Sequence, residues 1–347
     1  MSEIRIALVG AGLVGRRHVD AIAVADGAVL GAVVEPGPGG ASCADAWDIP
    51  HFAELGALLS AGICDAAILA TPTPLHAEQA LASIGAGLPV LIEKPIADAS
   101  GVARAVVEAG ERAGVPVAVG HHRRHNPIIA SAKETIERGA LGQVRAVQAT
   151  CWLRKPDAYF AEAPWRTRTG AGPISVNLVH DVDLLRHLVG EVAEVRAQAA
   201  PSARGHENED VAAAVLTFEG GAIGTISVSD AVAAPWSWEH TAGEYPVYPR
   251  TSESCYLIGG TLGSLSVPDL TLWRHEGDAG WWSPMTATRA PRPSVDPLVA
   301  QVEQFVAVVR GEAAPLVSGR EGLRTLEVIE AIQRSAATGE VVGLSQP

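Results

Sequence analysis

Hydrophobic and polar positions fall into two regimes along this chain. Up to about residue 120, apolar runs of strand character at 4–9, 29–35, 66–70, 90–93 and 115–119 alternate with helical spacing at 13–25, 53–61, 75–86 and 99–113. The glycine- and proline-rich stretch 37–40 reads as a loop. Such alternation builds right-handed βαβ units around a mostly parallel sheet. Ligands of these sheets bind beyond the carboxyl ends of the strands, which directs attention to 10–15, 35–37, 71–76, 93–95 and 120–124.

Past residue 120 the pattern changes. A helix is expected over 127–138, a strand over Val144–Trp152, a polar loop over 154–170 and an amphipathic helix over about 174–189. Alternating runs follow at 193–199, 211–219, 222–230, 254–258 and 263–267, with Glu219-Gly220-Gly221 as a hairpin turn. Helices over about 296–310 and 319–337 close the chain. Strands with few helices between them imply an antiparallel sheet. The expected fold class is therefore α/β, with a doubly wound parallel sheet over 1–120 and an α+β domain with a mostly antiparallel sheet over 121–347.

At 347 residues, 48% hydrophobic and 19% charged, the chain has material for two cores. Its net charge of −13 argues against nucleic acid or an anionic membrane surface as partner. No run of about eighteen uncharged apolar residues exists to span a bilayer. The first apolar run is interrupted by Glu3 and Arg5 and reads as a strand rather than a signal peptide. Cys43, Cys64, Cys151 and Cys255 are widely spaced and read as reduced thiols of a cytoplasmic protein.

Three segments carry chemistry. The first strand runs into Gly10-Ala11-Gly12-Leu13-Val14-Gly15 and then a helical pattern, and Glu35 ends the next apolar run. A G-x-G-x-x-G alone is weak; between strand and helix, with an acid about twenty residues on, it is a dinucleotide-binding arrangement. Gly10 allows the tight turn, Gly12 the approach of backbone to a pyrophosphate, and Gly15 close helix–strand packing, while the helix start around Leu13 and Val14 faces the phosphates. Glu35 suits the ribose hydroxyls of an adenosine and repels a 2′-phosphate. Pro36-Gly37-Pro38-Gly39 supplies no arginine to offset that charge, so NAD is expected over NADP. In Thr71-Pro72-Thr73-Pro74-Leu75-His76, an extended loop, Thr71, Pro72 and His76 are candidate cofactor contacts.

Glu93-Lys94-Pro95 is the sharpest signal. A lysine at the end of a buried strand, beside a glutamate and held by a proline, suits proton transfer; an ion pair is the plain alternative. Glu93 and Lys94 are also counted with the cofactor site. The third segment is Gly170-Ala171-Gly172-Pro173 followed by Asn177, His180, Asp181 and Asp183. Helical spacing puts Asn177, His180 and Asp183 on one side, so His180 can share proton transfer while Asp183 sets its tautomer. His121-His122-x-x-His125 is rich in metal-ligand types, but Arg123 and Arg124 would repel a cation, and no metal is expected. Arg123 suits a hydroxyl or carboxylate. Seven of the eight tryptophans follow residue 150, and Trp165 and the Trp236/Trp238 pair are candidate walls for a sugar face.

With these segments together, nearly the whole chain resembles the glucose–fructose oxidoreductase/inositol dehydrogenase/rhizopine-catabolism (Gfo/Idh/MocA) family. The marks are the 10–15 glycine motif, Ala70-Thr71-Pro72, Glu93-Lys94-Pro95, residues 120–127 and Val179-His180-Asp181-Val182-Asp183. The resemblance implies a Rossmann domain over 1–120. It also implies a substrate-binding and oligomerisation domain over 121–347, whose open sheet forms a homodimer or homotetramer. It implies hydride transfer between nicotinamide and a secondary alcohol of a sugar, inositol or related polyhydroxylated compound. Lys94 would be the catalytic lysine and His180 the histidine near the reacting hydroxyl, with Arg123, Trp165 and Asn177 as further substrate contacts. Val176 departs from the pattern: the family often has an aspartate there, and here Asn177 comes next. Asparagine hydrogen-bonds a hydroxyl but takes no proton, and one helical position turns it by about 100°. The relay then runs through Lys94 and His180 alone, or the substrate sits in another pose. Two other readings stay open: a redox-neutral, NAD-retaining glycosidase, and a non-catalytic sensor of a dinucleotide or sugar, against which the intact Glu93-Lys94-Pro95 argues.

Overall fold

The computed structural model describes residues 2–277, 279–292 and 295–344. Two compact units share the chain: Met1–Asn126 with Val295–Leu326, and Pro127–Ser294 with Glu327–Pro347.

The first unit opens with β1 (Ile4–Val9), α1 (Leu13–Ile22), β2 (Ala28–Val34), α2 (Pro38–Trp47), β3 (His51–Phe52) and α3 (Leu55–Ala61). It continues with β4 (Ala66–Leu69), α4 (His76–Gly85), β5 (Val90–Ile92), α5 (Ser100–Ala113) and β6 (Val117–Val119). Its six strands are parallel in the order β3-β2-β1-β4-β5-β6, so the direction of winding switches between β1 and β4. The strands are apolar on both faces because helices cover both. Alternate residues of one strand join different cores: Ala7 and Val9 pack with Leu58, Ala80 and Val106, whereas Ile6 and Leu8 pack with Val19 and Ile22.

The second unit begins with α6 (Pro127–Glu137), β7 (Val144–Trp152), α7 (Asp157–Ala161), α8 (Pro173–Val176) and α9 (Leu178–Val189). Next come β8 (Val192–Pro201), β9 (Glu209–Phe218), β10 (Ile223–Ser229), α10 (Trp238–Ala242), β11 (Tyr256–Gly260), β12 (Ser264–Val267), β13 (Thr271–His275) and β14 (Met285–Arg289). After α11 (Pro297–Val309), α12 (Gly319–Thr338) leads to β15 (Val342–Gly343). The sheet runs β14-β13-β12-β11-β7-β10-β9-β8-β15, antiparallel except where β7 meets β10. Period-two burial gives it one core face, where Ala214, Leu216 and Ile226 meet Val182 and Leu185 of α9 and Ile329 and Ile332 of α12. Val215, Ile223, Leu257 and Trp273 remain exposed.

Four features depart from the sequence reading. The 37–40 stretch is not simply a loop: Pro38 sits in the first turn of α2, where its fixed φ favours a helix start despite the flanking glycines. A single boundary at 120 separates α11 from its core, for Leu298, Val302, Phe305 and Val306 pack with Ile6, Leu8 and Ile22 of the first unit. The parallel sheet needs apolar cover on its second face, and the chain returns late to supply it. Within the expected loop at 154–170 lie α7 and a 3₁₀ turn at Pro164–Thr167. Finally, β13 and β14 extend the second sheet past the runs legible as alternation.

Candidate active site

The glycine turn after β1 has the stereochemistry its spacing predicts. Gly10 has φ +95°, and a Cβ there would lie 2.7 Å from the Ala70 carbonyl oxygen, so only glycine fits. At Gly15 a Cβ would fall 2.0 Å from the Gly10 oxygen, which is how α1 packs so closely on the turn. Gly12 is different: nothing lies within 4 Å of its added Cβ, so its backbone is open to approach. No side chain caps α1 and no acid stands in its first turn, leaving the amide dipoles unopposed for an anion. Leu13 and Val14 are exposed beside this start.

Glu35, just past β2, accepts the Ala11 N–H on Oε2 and the Gly37 N–H on Oε1, both at 3.0 Å. It therefore joins the two loops, while each oxygen keeps a lone pair for a ribose hydroxyl. The arginine lacking from 36–39 is supplied by α1. Arg16 donates from Nε to the Ala11 oxygen at 3.3 Å, and its guanidinium lies 3.6 Å from an added Cβ at Gly39. The open Gly12 backbone, the uncapped helix and Glu35 fit the diphosphate and adenosine ribose of NAD.

Lys94 follows β5, beside β4 and the switch point, and the Lys94–Pro95 peptide is cis. Glu93 is buried, with Oε1 2.7 Å from His18 Nε2 and Oε2 accepting the Lys94 N–H at 3.1 Å. Burial pushes its carboxyl up, but the His18 hydrogen bond and the charges of His18, His122 and Lys94 outweigh this and bring it down to about 2. Glu93 is thus a fixed anion held by internal partners. His76 is likewise buried, with Nδ1 2.9 Å from the Pro95 oxygen and Nε2 2.8 Å from the Thr71 oxygen. Its ring bridges the loop after β4 and the loop after β5. The Thr71 hydroxyl donates to Gln79 at 2.6 Å and retains acceptor capacity, and Pro72 continues the extended path. Arg123 is buried in a 3₁₀ turn at His122–His125 of the first unit, and Arg124 pairs with Glu321 at 2.9 Å.

In the second unit the expected helix over 174–189 is interrupted. Asn177, with φ −103° and ψ −53°, separates α8 from α9, and the His180 N–H still donates to its carbonyl at 3.1 Å. Glu209 of β9 packs against this start: its carboxyl comes within 2.2 Å of an added Cβ at Gly172 and accepts the Ile174 N–H at 3.1 Å. Asn177 Oδ1 is buried and accepts no hydrogen bond from the described residues, so it can take a substrate hydroxyl. His180, Asp181 and Asp183 are buried along α9, and Asp181 accepts the Tyr256 hydroxyl. Trp165 is exposed on its 3₁₀ turn, and Arg166 stacks 3.9 Å from the Tyr159 ring centroid. Trp238 is no sugar wall: it is buried in the core against Tyr256, although Trp236 is exposed.

The structure gathers Gly10, Gly12, Glu35, Thr71, His76, Glu93 and Lys94 at the carboxyl ends of β1, β2, β4 and β5, while Trp165, Asn177 and His180 belong to the second unit. The sequence argument missed His18 and Tyr256 as partners of functional segments. His18 carries a faint signal, three residues beyond Gly15 on the same helix face; Tyr256 carries none. Among the described residues no cluster of three or more His, Cys, Asp or Glu is placed to hold a metal, and no helix is long and apolar enough to cross a membrane.

Comparison with known proteins follows the same division. Residues 4–121 match the oxidoreductase-family model of the NAD-binding Rossmann fold, and 129–266 match the GFO/IDH/MocA C-terminal domain. The chain is 29% identical to D-apiose dehydrogenase of Paraburkholderia graminis, over 97% of this chain and 89% of that protein. It is 28% identical to inositol 2-dehydrogenase 2 of Saccharopolyspora erythraea, over 96% and 93%. The crystal structure of the WlbA dehydrogenase from Bordetella pertussis, in complex with NADH and UDP-GlcNAcA, superposes with a TM-score of 0.80 at 30% identity, over 99% of this chain and 100% of that one. Glycine turn, lysine segment, histidine helix and both domain matches agree, and the chain belongs to the Gfo/Idh/MocA family of NAD-binding oxidoreductases.

Proposed function

We propose that this protein is an NAD-dependent dehydrogenase that transfers hydride between a secondary alcohol of a sugar, inositol or related polyhydroxylated compound and nicotinamide. Residues 1–120 with α11 bind the dinucleotide, and the second unit supplies substrate contacts. The observation that carries this reading is the placement of Lys94: it follows β5, its peptide N–H is held by an ionised Glu93, and only β4 separates its strand from β1, which leads into the glycine turn. The substrate class is supported by relatives named for D-apiose and inositol and by the hydroxyl acceptor on Asn177.

In the oxidative direction Lys94 Nζ takes the hydroxyl proton and His180 shares it. Bound NAD supplies the acceptor for the hydride. Asn177, which cannot take a proton, orients a neighbouring hydroxyl; Arg123 and Trp165 complete the substrate contacts. Glu35 sets the preference for NAD by receiving the ribose hydroxyls. The exposed face carrying Val215, Ile223, Leu257 and Trp273 is the contact of a homodimer or homotetramer. A cytoplasmic location goes with this reading, since the four widely spaced cysteines suit a reducing compartment.

The test is NADH formation from NAD across sugars, inositols and sugar acids, with the wild type and Lys94→Ala. Turnover on one class that falls by about 10²–10⁴ in the variant, with NADH binding retained, is the expected result. Undiminished turnover in Lys94→Ala overturns the role of the lysine.

A further inference from the structure

Lys94 sits between two buried histidines on the described elements of the first unit. On its N-terminal side, His18 of α1 is fully buried with Nε2 2.7 Å from Glu93 Oε1, and Glu93 Oε2 takes the Lys94 N–H at 3.1 Å. The carboxylate only accepts, so Nε2–H is the donor. Gly120 closes the other side of that carboxyl, with an added Cβ 3.0 Å from it. On the C-terminal side, His76 at the start of α4 faces the Pro95 oxygen with Nδ1 and the Thr71 oxygen with Nε2, at 2.9 and 2.8 Å. Both oxygens are acceptors, so a singly protonated ring donates to one of them, the tautomer deciding which, and only a doubly protonated ring donates to both. The two contacts reach different elements: α1 begins at the glycine turn, and Thr71 lies in the loop after β4. A buried side chain that bridges loops in this way removes alternatives open to an exposed strand end.

We propose that His18 and His76 are positioning residues that clamp Glu93-Lys94-Pro95 from both sides and tie the lysine to the dinucleotide-binding turn. This rests on the reading of Lys94 as the base. Neither histidine touches the reacting atoms. His18 acts through Glu93, and His76 acts through the carbonyl that follows the lysine.

The chain has three lysines, Lys94, Lys133 and Lys155, so acylation with acetic anhydride, followed residue by residue by mass spectrometry, reads Lys94 against two internal references. The full-length protein is compared with His18→Leu, His18→Gln, His76→Ala, His76→Asn and His76→Gln. An asparagine amide reproduces the reach of Nδ1, and a glutamine amide that of Nε2. Loss of the clamp in His18→Leu and His76→Ala raises the Lys94 rate about tenfold relative to Lys133. His18→Gln and His76→Asn return it to the wild-type rate, whereas His76→Gln, which donates only toward Thr71, does not. An unchanged Lys94 rate in His18→Leu and His76→Ala overturns the proposal. If those two do not fold, equal rates in His76→Gln and His76→Asn overturn it instead. Labelling does not depend on turnover: should Lys94→Ala remain active, the catalytic reading falls and the labelling still decides the clamp.

Discussion

The carboxylate of Glu35 receives the N–H of Ala11 at 3.0 Å, so the acid that follows β2 and the glycine turn that follows β1 are one structure. The same carboxylate faces the ribose site proposed for NAD. Glu35→Ala is expected to weaken NADH binding about tenfold, near 1.4 kcal/mol, by losing both the hydroxyl acceptor and the support of the turn. NADPH binding should fall less or improve, because the repelling charge is gone and Arg16 lies alongside. Fluorescence titration of both nucleotides checks this; an unaltered NADH to NADPH ratio contradicts it.

Gly12 and Gly15 separate binding from folding. Gly12→Ala meets no atom within 4 Å and should leave thermal stability near that of the wild type while weakening NADH several-fold. Gly15→Ala places a Cβ 2.0 Å from the Gly10 oxygen and should lose at least about 2 kcal/mol of stability. Denaturation curves with and without NADH distinguish the two; equal stability losses would contradict the open space at Gly12.

Glu93 imposes a pH dependence on stability. Its carboxyl is lowered from the ordinary 4.5 to about 2 in the folded chain, so the unfolded chain takes up a proton first as the pH falls. The contribution, about 3 kcal/mol, is complete above pH 4.5 and disappears progressively toward pH 2. Glu93→Gln should be less stable at neutral pH and show a flatter decline below pH 4.5. Parallel acid denaturation profiles would refute the lowered carboxyl.

Asp230 is a buried counter-ion in the second unit, 3.0 Å from Arg204 and 3.6 Å from Lys155. Burial lowers the Lys155 ammonium and Asp230 works against that. Asp230→Asn removes the buried carboxylate from both cations, leaving Arg204 the exposed Asp157 at 3.7 Å, and should cost about 3 kcal/mol in urea denaturation. A change under about 0.5 kcal/mol, the size of a surface substitution, would show that the cluster is solvated.

Trp165 and Trp238 should respond oppositely. Trp165 is 59% exposed, so Trp165→Ala should raise the KM for substrate with little loss of stability. Trp238 is 1% exposed, and Trp238→Ala should cost about 3–5 kcal/mol. A Trp165→Ala variant with unchanged KM removes that residue from the substrate wall.

The local rules were legible in the chain itself. Period-two and helical spacing marked most strands and helices, and Gly10, Gly12, Gly15 and Glu35 announced a dinucleotide site because each has a stereochemical or charge requirement that acts over a few residues. Lys94 stood out for the same reason. What tertiary structure alone decided is long-range pairing. That α11 returns to cover Ile6 and Leu8, that Trp238 is core and Trp165 is not, and that His76 serves two carbonyls cannot be read from spacing. Nor can the 75-residue separation between His18 and Glu93 be bridged by any periodicity. A buried polar group takes its partner from whichever element the fold brings alongside, and desolvation makes that partner obligatory without naming it in the sequence.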